Sequence, residues 1–346
     1  MAHPRPEDRP QMSSEARKHT VVVTECDHDA FAEELAVADA RDITLRFANA
    51  ATDAELVERC ADADGILVQY AAITADVMDA LPHLKAIGRY GVGVDSVDVA
   101  AATARGIAVC NVPDYGTEAV SDHAIAMALA VARGVTRLDR AVRRGEVDLS
   151  AVRPLRLLGG RTFGVLGAGR IGAAVARKAR GLGFEVIGFD ERANPGETFN
   201  GVQIVARDDL FARADVLSVH VPLDESTRGI VNQKRLASMP PGAIVVNTAR
   251  GGVIDTPALV AALDAGHLGG AAIDCHDVEP LPVDHPLTRF ENVVLSPHFA
   301  WYSEESYGEL KRRTMENVVT VLEGGQPRNI LNPEVLGPKA TEEDAR

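Results

Sequence analysis

Residues 162–190 read TFGVLGAGRIGAAVARKARGLGFEVIGFD. An apolar run stops at a glycine turn, a helix-forming stretch follows, and a second apolar run stops at Asp190. Gly167, Gly169 and Gly172 stand as G-x-G-x-x-G, a pattern that is weak alone and gains meaning between a strand and a helix. Each glycine has its own task there. The first makes the tight turn, the second lets a pyrophosphate approach the backbone, and the third lets helix and strand pack closely. The helix start at Arg170 and Ile171 offers unpaired N–H groups to phosphate. Asp190 follows Gly172 by 18 residues (190 − 172), close to the ~20 that this motif asks for. Its carboxylate accepts hydrogen bonds from ribose hydroxyls and repels a 2′-phosphate, so NAD (NADH) is expected and NADP less so. Arg192, two residues on, weakens that preference. The competing reading is a set of glycines that only shapes a βα turn.

The same alternation extends in both directions. Downstream, GVQIV, DVLSVHV, AIVVNT, GAAID and VVLSP read as strands; upstream, HTVVVTEC, ITLRF, GILVQY, LKAIGRY and IAVCNV do, with DAELVERCA and TADVMDALPHL as helices between them. Apolar runs this continuous suit strands covered on both faces, hence parallel sheets. The fold class is therefore α/β, with two doubly wound parallel-sheet (Rossmann-like) domains. A long apolar helix is predicted from about 117 to 134, and another from about 303 to 323 comes after the second set of strands. A helix left over there most simply packs on the first domain, so the cofactor domain is expected to be inserted into the substrate domain. The expected division is a disordered leader (1–19), a flavodoxin-like substrate-binding domain (20–118 and 299–333), an NAD-binding Rossmann domain (119–298) and a disordered tail (334–346).

Composition narrows the function classes. A chain of 346 residues fits two domains. The net charge of −14 argues against nucleic acid as a partner, because a phosphate-binding face needs clustered Lys and Arg. No apolar run reaches the ~18–20 residues that cross a bilayer, and the N-terminal stretch lacks the apolar region of a signal peptide. Cys26, Cys60, Cys110 and Cys275 form no C-x-x-C pair, which speaks against zinc or disulfides and suits a reducing cytoplasm.

Three segments end apolar strands with polar residues, VVNTARGGVID, AAIDCHDVEP and VLSPHFAW, and ligands of open α/β sheets bind beyond such strand ends. They supply Arg250, Asp274, Glu279 and His298. Hydride transfer to a 2-oxo acid needs a cation for the carboxylate, which suits arginine. It also needs a proton donor for the carbonyl oxygen, which suits histidine, and a carboxylate beside that donor to fix its ring. Arg250, His298 and Glu279 fill these roles in order. Each also has a plain reading: a strand-end salt bridge, a turn histidine and a solvated loop acid. Spacing alone leaves open whether the three meet. His123 and His220 lie in buried-looking segments and read as structural. His276, Asp277 and Glu279 share one short loop with no second ligand group, so no metal is expected. The one tryptophan, Trp301, follows His298 in PHFAWYSEES (297–306), either as packing or as a pocket wall.

TFGVLGAGRIG, VVNTARGGVID, AAIDCHDVEP and LSPHFAWYSEE closely resemble the signature segments of D-isomer-specific 2-hydroxyacid dehydrogenases. RYGVGVDSVD and CNVPDYGTEAVSDHA resemble that family's substrate-loop and hinge segments. The resemblance runs from about residue 60 to 330. It implies a homodimeric NAD-dependent oxidoreductase that interconverts a small 2-oxo acid and the D-2-hydroxy acid, with Arg250, Glu279 and His298 as the catalytic set and His298 as acid/base. It implies cofactor contacts from Gly167, Gly169, Arg170, Ile171, Gly172, Asp190, Val221, Pro222, Thr227, Thr248, Ala249, Arg250, Asp274 and Thr117. It gives the substrate carboxylate to the backbone of Gly91, Val92 and Gly93. PHFAWYSEES resembles the C-terminal-binding-protein branch, which implies that Trp301 lines the substrate pocket. Members acting on 3-phosphoglycerate carry arginines where this chain reads VQYAAIT, so Tyr70 stands in a loop without a cation and a phosphorylated substrate is disfavoured. Arg89 is the nearby cation, set either to bind a carboxylate or to pair with an acid. The alternative function within that branch is a dinucleotide-sensing, corepressor-like scaffold with little turnover.

Overall fold

The structure, a computed structural model, describes residues 18–26, 30–147 and 150–337. Most of the expected leader and the end of the expected tail lie outside the described residues. The chain divides into one unit made of Met1–Val112 with Leu310–Arg346, and a second made of Pro113–Glu309. The second is thus inserted in the first, but the divisions differ from residues 118 and 299. The helix Thr117–Ala132 packs on strands and a helix of the second unit, so the division comes before it. Residues after 298 stay with the second unit because the amides of Phe299 and Ala300 bond to Asp274.

The first unit holds a sheet of β1 (Thr20–Val23), β2 (Thr44–Phe47), β3 (Gly65–Val68), β4 (Ala86–Arg89) and β5 (Ala108–Cys110). Its order is β2-β1-β3-β4-β5, all parallel, with the strand order reversing between β1 and β3. One face buries Leu56, Cys60, Ile66, Val68 and Ile87. On the other, the helix Glu304–Leu322 comes so close that a Cβ at Gly65 or Gly88 would meet Val318 at 2.6 or 2.7 Å. That places the last helix on the first unit's sheet, as its leftover position suggested. The helix Ala75–Asp79 is shorter than TADVMDALPHL suggested, because Pro82 disfavours helical backbone at Leu81. Where the tail was expected from 334, Pro333–Leu336 forms a 3-10 turn. The buried Asn332 anchors it, accepting from the Val109 amide at 2.8 Å and donating to the Ile107 carbonyl at 2.8 Å.

The second unit holds β6 (Thr162–Leu166), β7 (Glu185–Phe189), β8 (Thr198–Phe199), β9 (Val202–Ile204), β10 (Val216–Val219), β11 (Ala243–Asn247), β12 (Leu268–Ile273) and β13 (Val293–Leu295). Their order is β13-β12-β11-β10-β6-β7-β9-β8. All pairs are parallel except β8–β9, an unexpected hairpin. Its two-residue loop, Asn200-Gly201, has φ of +48° and +77°, the backbone that Asn-Gly favours in tight hairpins. Apolar clusters cover both faces of the sheet. Its strands reverse order between β6 and β10, and their carboxyl ends there carry Gly167 and Val221. Among the described residues no helix is long and apolar enough to cross a membrane.

Candidate active site

The end of β12 organises the turn that carries His298. The Asp274 carbonyl accepts the His298 amide at 2.8 Å. The wholly buried Asp274 carboxylate accepts from Ser296 Oγ (2.6 Å) and from the amides of Phe299 (3.0 Å) and Ala300 (3.1 Å). His298 itself sits at φ +59°, left-handed backbone that costs a non-glycine residue energy and persists only where surroundings impose it. Asp274 is that surrounding here. Its carboxylate, expected among the cofactor contacts, is committed to the turn.

Glu279 closes on this turn from the loop after β12. Its Oε2 lies 2.8 Å from His298 Nδ1, and its Oε1 accepts the His276 amide at 2.8 Å. An ionised carboxylate only accepts, so Nδ1 carries the proton and Nε2 is the nitrogen left for exchange. Burial pushes the Glu279 carboxyl up. The hydrogen bonds from His298 and the His276 amide, with the charges of both rings, outweigh it and hold the group below its ordinary value of 4.5.

Arg250 follows β11. Buried Asn247 pins its backbone, donating to the Arg250 carbonyl (3.0 Å) and accepting the Ala249 amide (3.0 Å). Gly251 presses this loop against the one after β12: a Cβ there would lie 1.9 Å from the His276 carbonyl oxygen. Arg250 is close enough to Cys275 to draw its thiol down, although burial, the first cause, and the acids Asp274 and Glu279 hold that thiol well above its ordinary range. The Cys275 thiol, a Glu279 oxygen and a His298 nitrogen lie within 4.8 Å of one another. The structure therefore gathers Glu279 and His298 beside Cys275, with the Arg250 charge close enough to act on that thiol. Sequence reasoning missed Cys275, Asn247 and Ser296, which hold the site together. Ser296, beside Pro297-His298, was the one readable signal. His123 also touches the network, with Nε2 3.0 Å from Ser296 Oγ. The half-buried His220 ring lies 2.8 Å from Ser218 Oγ, and its loss of water contact pushes it down to about 3, so it is a neutral structural group.

The glycine turn, the helix start after it and Thr248 fit a dinucleotide. Gly167 has φ +94°, and a Cβ there would meet the His220 carbonyl oxygen at 2.7 Å. A Cβ on Gly172 would lie 2.0 Å from the Gly167 carbonyl oxygen, whereas one on Gly169 would meet nothing nearer than Arg192 at 3.5 Å. The middle glycine leaves space, as a backbone that admits phosphate must. Gly169 caps the helix Arg170–Gly181 without a side-chain bond, leaving its first amides to a ligand. Thr248 Oγ1 is buried without a hydrogen-bond partner, a group a bound ligand would satisfy. Val221 and Pro222 follow β10 after His220, and Ala249 and Thr117 are half-buried. Thr227 differs: its hydroxyl donates to the Pro222 carbonyl (2.6 Å) and accepts the Asp224 amide (2.8 Å), so it braces the loop. Asp190 also differs. Arg192 grips it with two bonds of 2.8 Å, and the Ala168 amide donates to it at 2.9 Å. That grip, more than partial burial opposes it, holds the Asp190 carboxyl below 3.8.

In the first unit, Tyr70 stands exposed after β3. Arg89 ends β4 and lies over Gly91: a Cβ on Gly91, at φ +140°, would fall 1.5 Å from Arg89 Nη1. The loop holding Val92 and Gly93 is braced by the Val112 amide on the Gly91 carbonyl (3.0 Å) and Asn111 on the Val92 carbonyl (2.7 Å). Trp301, in the second unit, packs among Tyr115, Phe299, Tyr302 and Tyr307 with ring centroids 5.7–6.4 Å apart. Packing thus accounts for at least part of its presence.

Residues 125–300 match the family model of the D-isomer specific 2-hydroxyacid dehydrogenase NAD-binding domain. A glyoxylate reductase of Korarchaeum cryptofilum is 41% identical over 81% of this chain and 86% of its own length. A D-3-phosphoglycerate dehydrogenase of Archaeoglobus fulgidus is 38% identical over 80% of this chain, which spans 53% of that protein. Among solved structures, the D-lactate dehydrogenase of Aquifex aeolicus complexed with NAD and lactic acid superposes with a TM-score of 0.78, 26% identity and coverage of 93% of this chain and 100% of that one. On the matched domain, the shared fold and these identities, the chain belongs to the D-isomer specific 2-hydroxyacid dehydrogenase family.

Proposed function

We propose that this chain is an NAD-dependent dehydrogenase that reduces a small 2-oxo acid to the D-2-hydroxy acid. The observation that carries the reading is the 2.8 Å pair of Glu279 with His298, on a turn that Asp274 locks in left-handed backbone. Glu279 fixes which ring nitrogen is protonated, and His298 gives the proton to the carbonyl oxygen through Nε2. Arg250 orients the substrate carboxylate and polarises the carbonyl. The cofactor, when bound, supplies the hydride. In the first unit the backbone of Gly91, Val92 and Gly93 receives the carboxylate, with Tyr70 and Arg89 beside it in sequence, while Trp301 offers a flat apolar wall to the side chain.

NAD is the proposed cofactor because Asp190 ends β7 where the ribose hydroxyls would bind, and NADP is a poorer second choice that Arg192 makes tolerable. Four free cysteines suit a reducing cytoplasm. A homodimer is proposed through the cofactor domain, by the helix from about 117 to 134 and the loop from 143 to 160, with Val142 70% exposed just before that loop and Leu157 83% exposed within it. The test is NADH oxidation by purified protein with glyoxylate, hydroxypyruvate, pyruvate, phenylpyruvate and 4-methylthio-2-oxobutyrate. Turnover of at least one acid is expected. NADH binding with turnover of none would sink the reading.

A further inference from the structure

Just after β1, at the β1/β3 reversal of the first unit's sheet, three consecutive backbone amides point at one oxygen. Gln69, Tyr70 and Ala71 donate to Glu25 Oε1 at 3.2, 2.6 and 2.8 Å. Thr24 holds the other oxygen, Oε2, at 2.5 Å, and its own amide is tied to the Leu67 carbonyl at 3.0 Å. Successive amides converging on one point make a concave anion-binding site, of the kind that takes phosphate elsewhere. The reversal point of a doubly wound sheet, beyond its strand ends, is also where ligands bind. Here the cradle is filled by the protein's own carboxylate. The segment that builds it, Gln69 to Thr74, contains no Lys or Arg to offset that charge. On the neighbouring strand, β4, the parallel pairing puts the Arg89–Gly93 loop next along the same edge.

Building on the reduction proposed above, we propose that Glu25 is a specificity-determining residue. By occupying the amide cradle it makes the enzyme reject 2-oxo acids that bear a second anionic group, phosphate or carboxylate, and reserves it for small acids with a neutral side chain. A second anion must either displace Glu25 from four hydrogen bonds or sit beside its charge, and both disfavour it. The relatives include both glyoxylate reductases and phosphoglycerate dehydrogenases, so this choice separates two substrates within one fold.

The test compares hydroxypyruvate with its 3-phosphate ester, two substrates that differ only by the phosphate, in the wild type and in Glu25→Gln and Glu25→Ala. The wild type is expected to prefer the unphosphorylated acid in kcat/KM. Glu25→Gln keeps an acceptor for the amides without the charge, so the preference narrows by about tenfold. Glu25→Ala empties the cradle, so the preference narrows further and inorganic phosphate binds saturably by calorimetry, which the wild type does not show. Equal loss on both acids in both variants, with no phosphate binding, would mean that Glu25 only braces the loop and would overturn the proposal. A wild type that uses the ester as well as the parent acid would do the same. If the wild type reduces neither acid, phosphate calorimetry on wild type and Glu25→Ala alone decides the role of Glu25, and the functional reading falls only if no other 2-oxo acid of the panel is reduced.

Discussion

At the scale of single residues, His298 answers to two demands at once: in the proposed reaction its ring must exchange a proton, and its backbone sits at φ +59°. Alanine meets neither demand. Asparagine tolerates left-handed backbone and so isolates the chemistry. His298→Asn is expected to lower kcat by about 10²–10⁴-fold with little change in NADH affinity, read by steady-state kinetics and NADH titration. Glu279 has a pH signature as well. Its carboxyl is held below 4.5, so the stability it lends is present above that value and lost as pH falls through the lowered one. Glu279→Gln should therefore flatten the melting-temperature profile as pH falls below 4.5, while slowing turnover at neutral pH. For the cofactor, Asp190→Ala is expected to raise the ratio of NADP to NAD affinity, and Arg192→Ala to lower it, because Arg192 is the cation bonded to Asp190, the proposed ribose partner. Direct titration of both dinucleotides checks this, and unchanged ratios in both variants would refute it.

At the scale of elements, the loops after β11 and β12 work as one piece because Gly251 has no side chain. Gly251→Ala must push apart backbones that a Cβ would meet at 1.9 Å, at a cost of roughly 1–3 kcal/mol or more. A fall in melting temperature together with a larger fall in kcat/KM is expected, since Arg250 moves with the loop. Much of this level could be read from residue order. Strands showed as unbroken apolar runs, and the glycine loop showed as a turn between a strand and a helix. The Asn200-Gly201 hairpin carried its own signal, a two-residue turn between apolar positions, yet it hid inside a parallel pattern. The anchoring of the site did not show at all. Asp274 reaches Ser296, Phe299 and Ala300 across more than twenty positions, and a carboxylate accepting amides looks like any other acid in a sequence. Arg192 was visible, but its two-bond grip on Asp190 depends on side-chain geometry that spacing does not encode. The unit divisions were misplaced for the same reason, since the amide bonds that keep residues 299 and 300 with the second unit leave no mark on composition.

At the scale of the whole molecule, the half-buried ring of His220 adds to the response to mild acid. His220 stays neutral in the folded chain down to about pH 3, whereas in an unfolded chain it charges near 6.5. Protonation therefore favours unfolding as pH falls below 6.5, by up to about 1 kcal/mol per pH unit. Urea titrations at pH 7 and pH 5 should show this loss, and His220→Gln, if folded, should reduce it. Assembly is testable in parallel. Val142→Asp and Leu157→Asp are expected to shift the mass in light scattering from dimer to monomer. The eight-stranded sheet ends in strands of two and three residues, β8 and β13. Such stubs offer an incoming chain too few open amides and carbonyls to begin a fibril. Turbidity on heating should accordingly appear only after the folded signal is lost, so the onset of clouding can serve as a plain thermometer of unfolding.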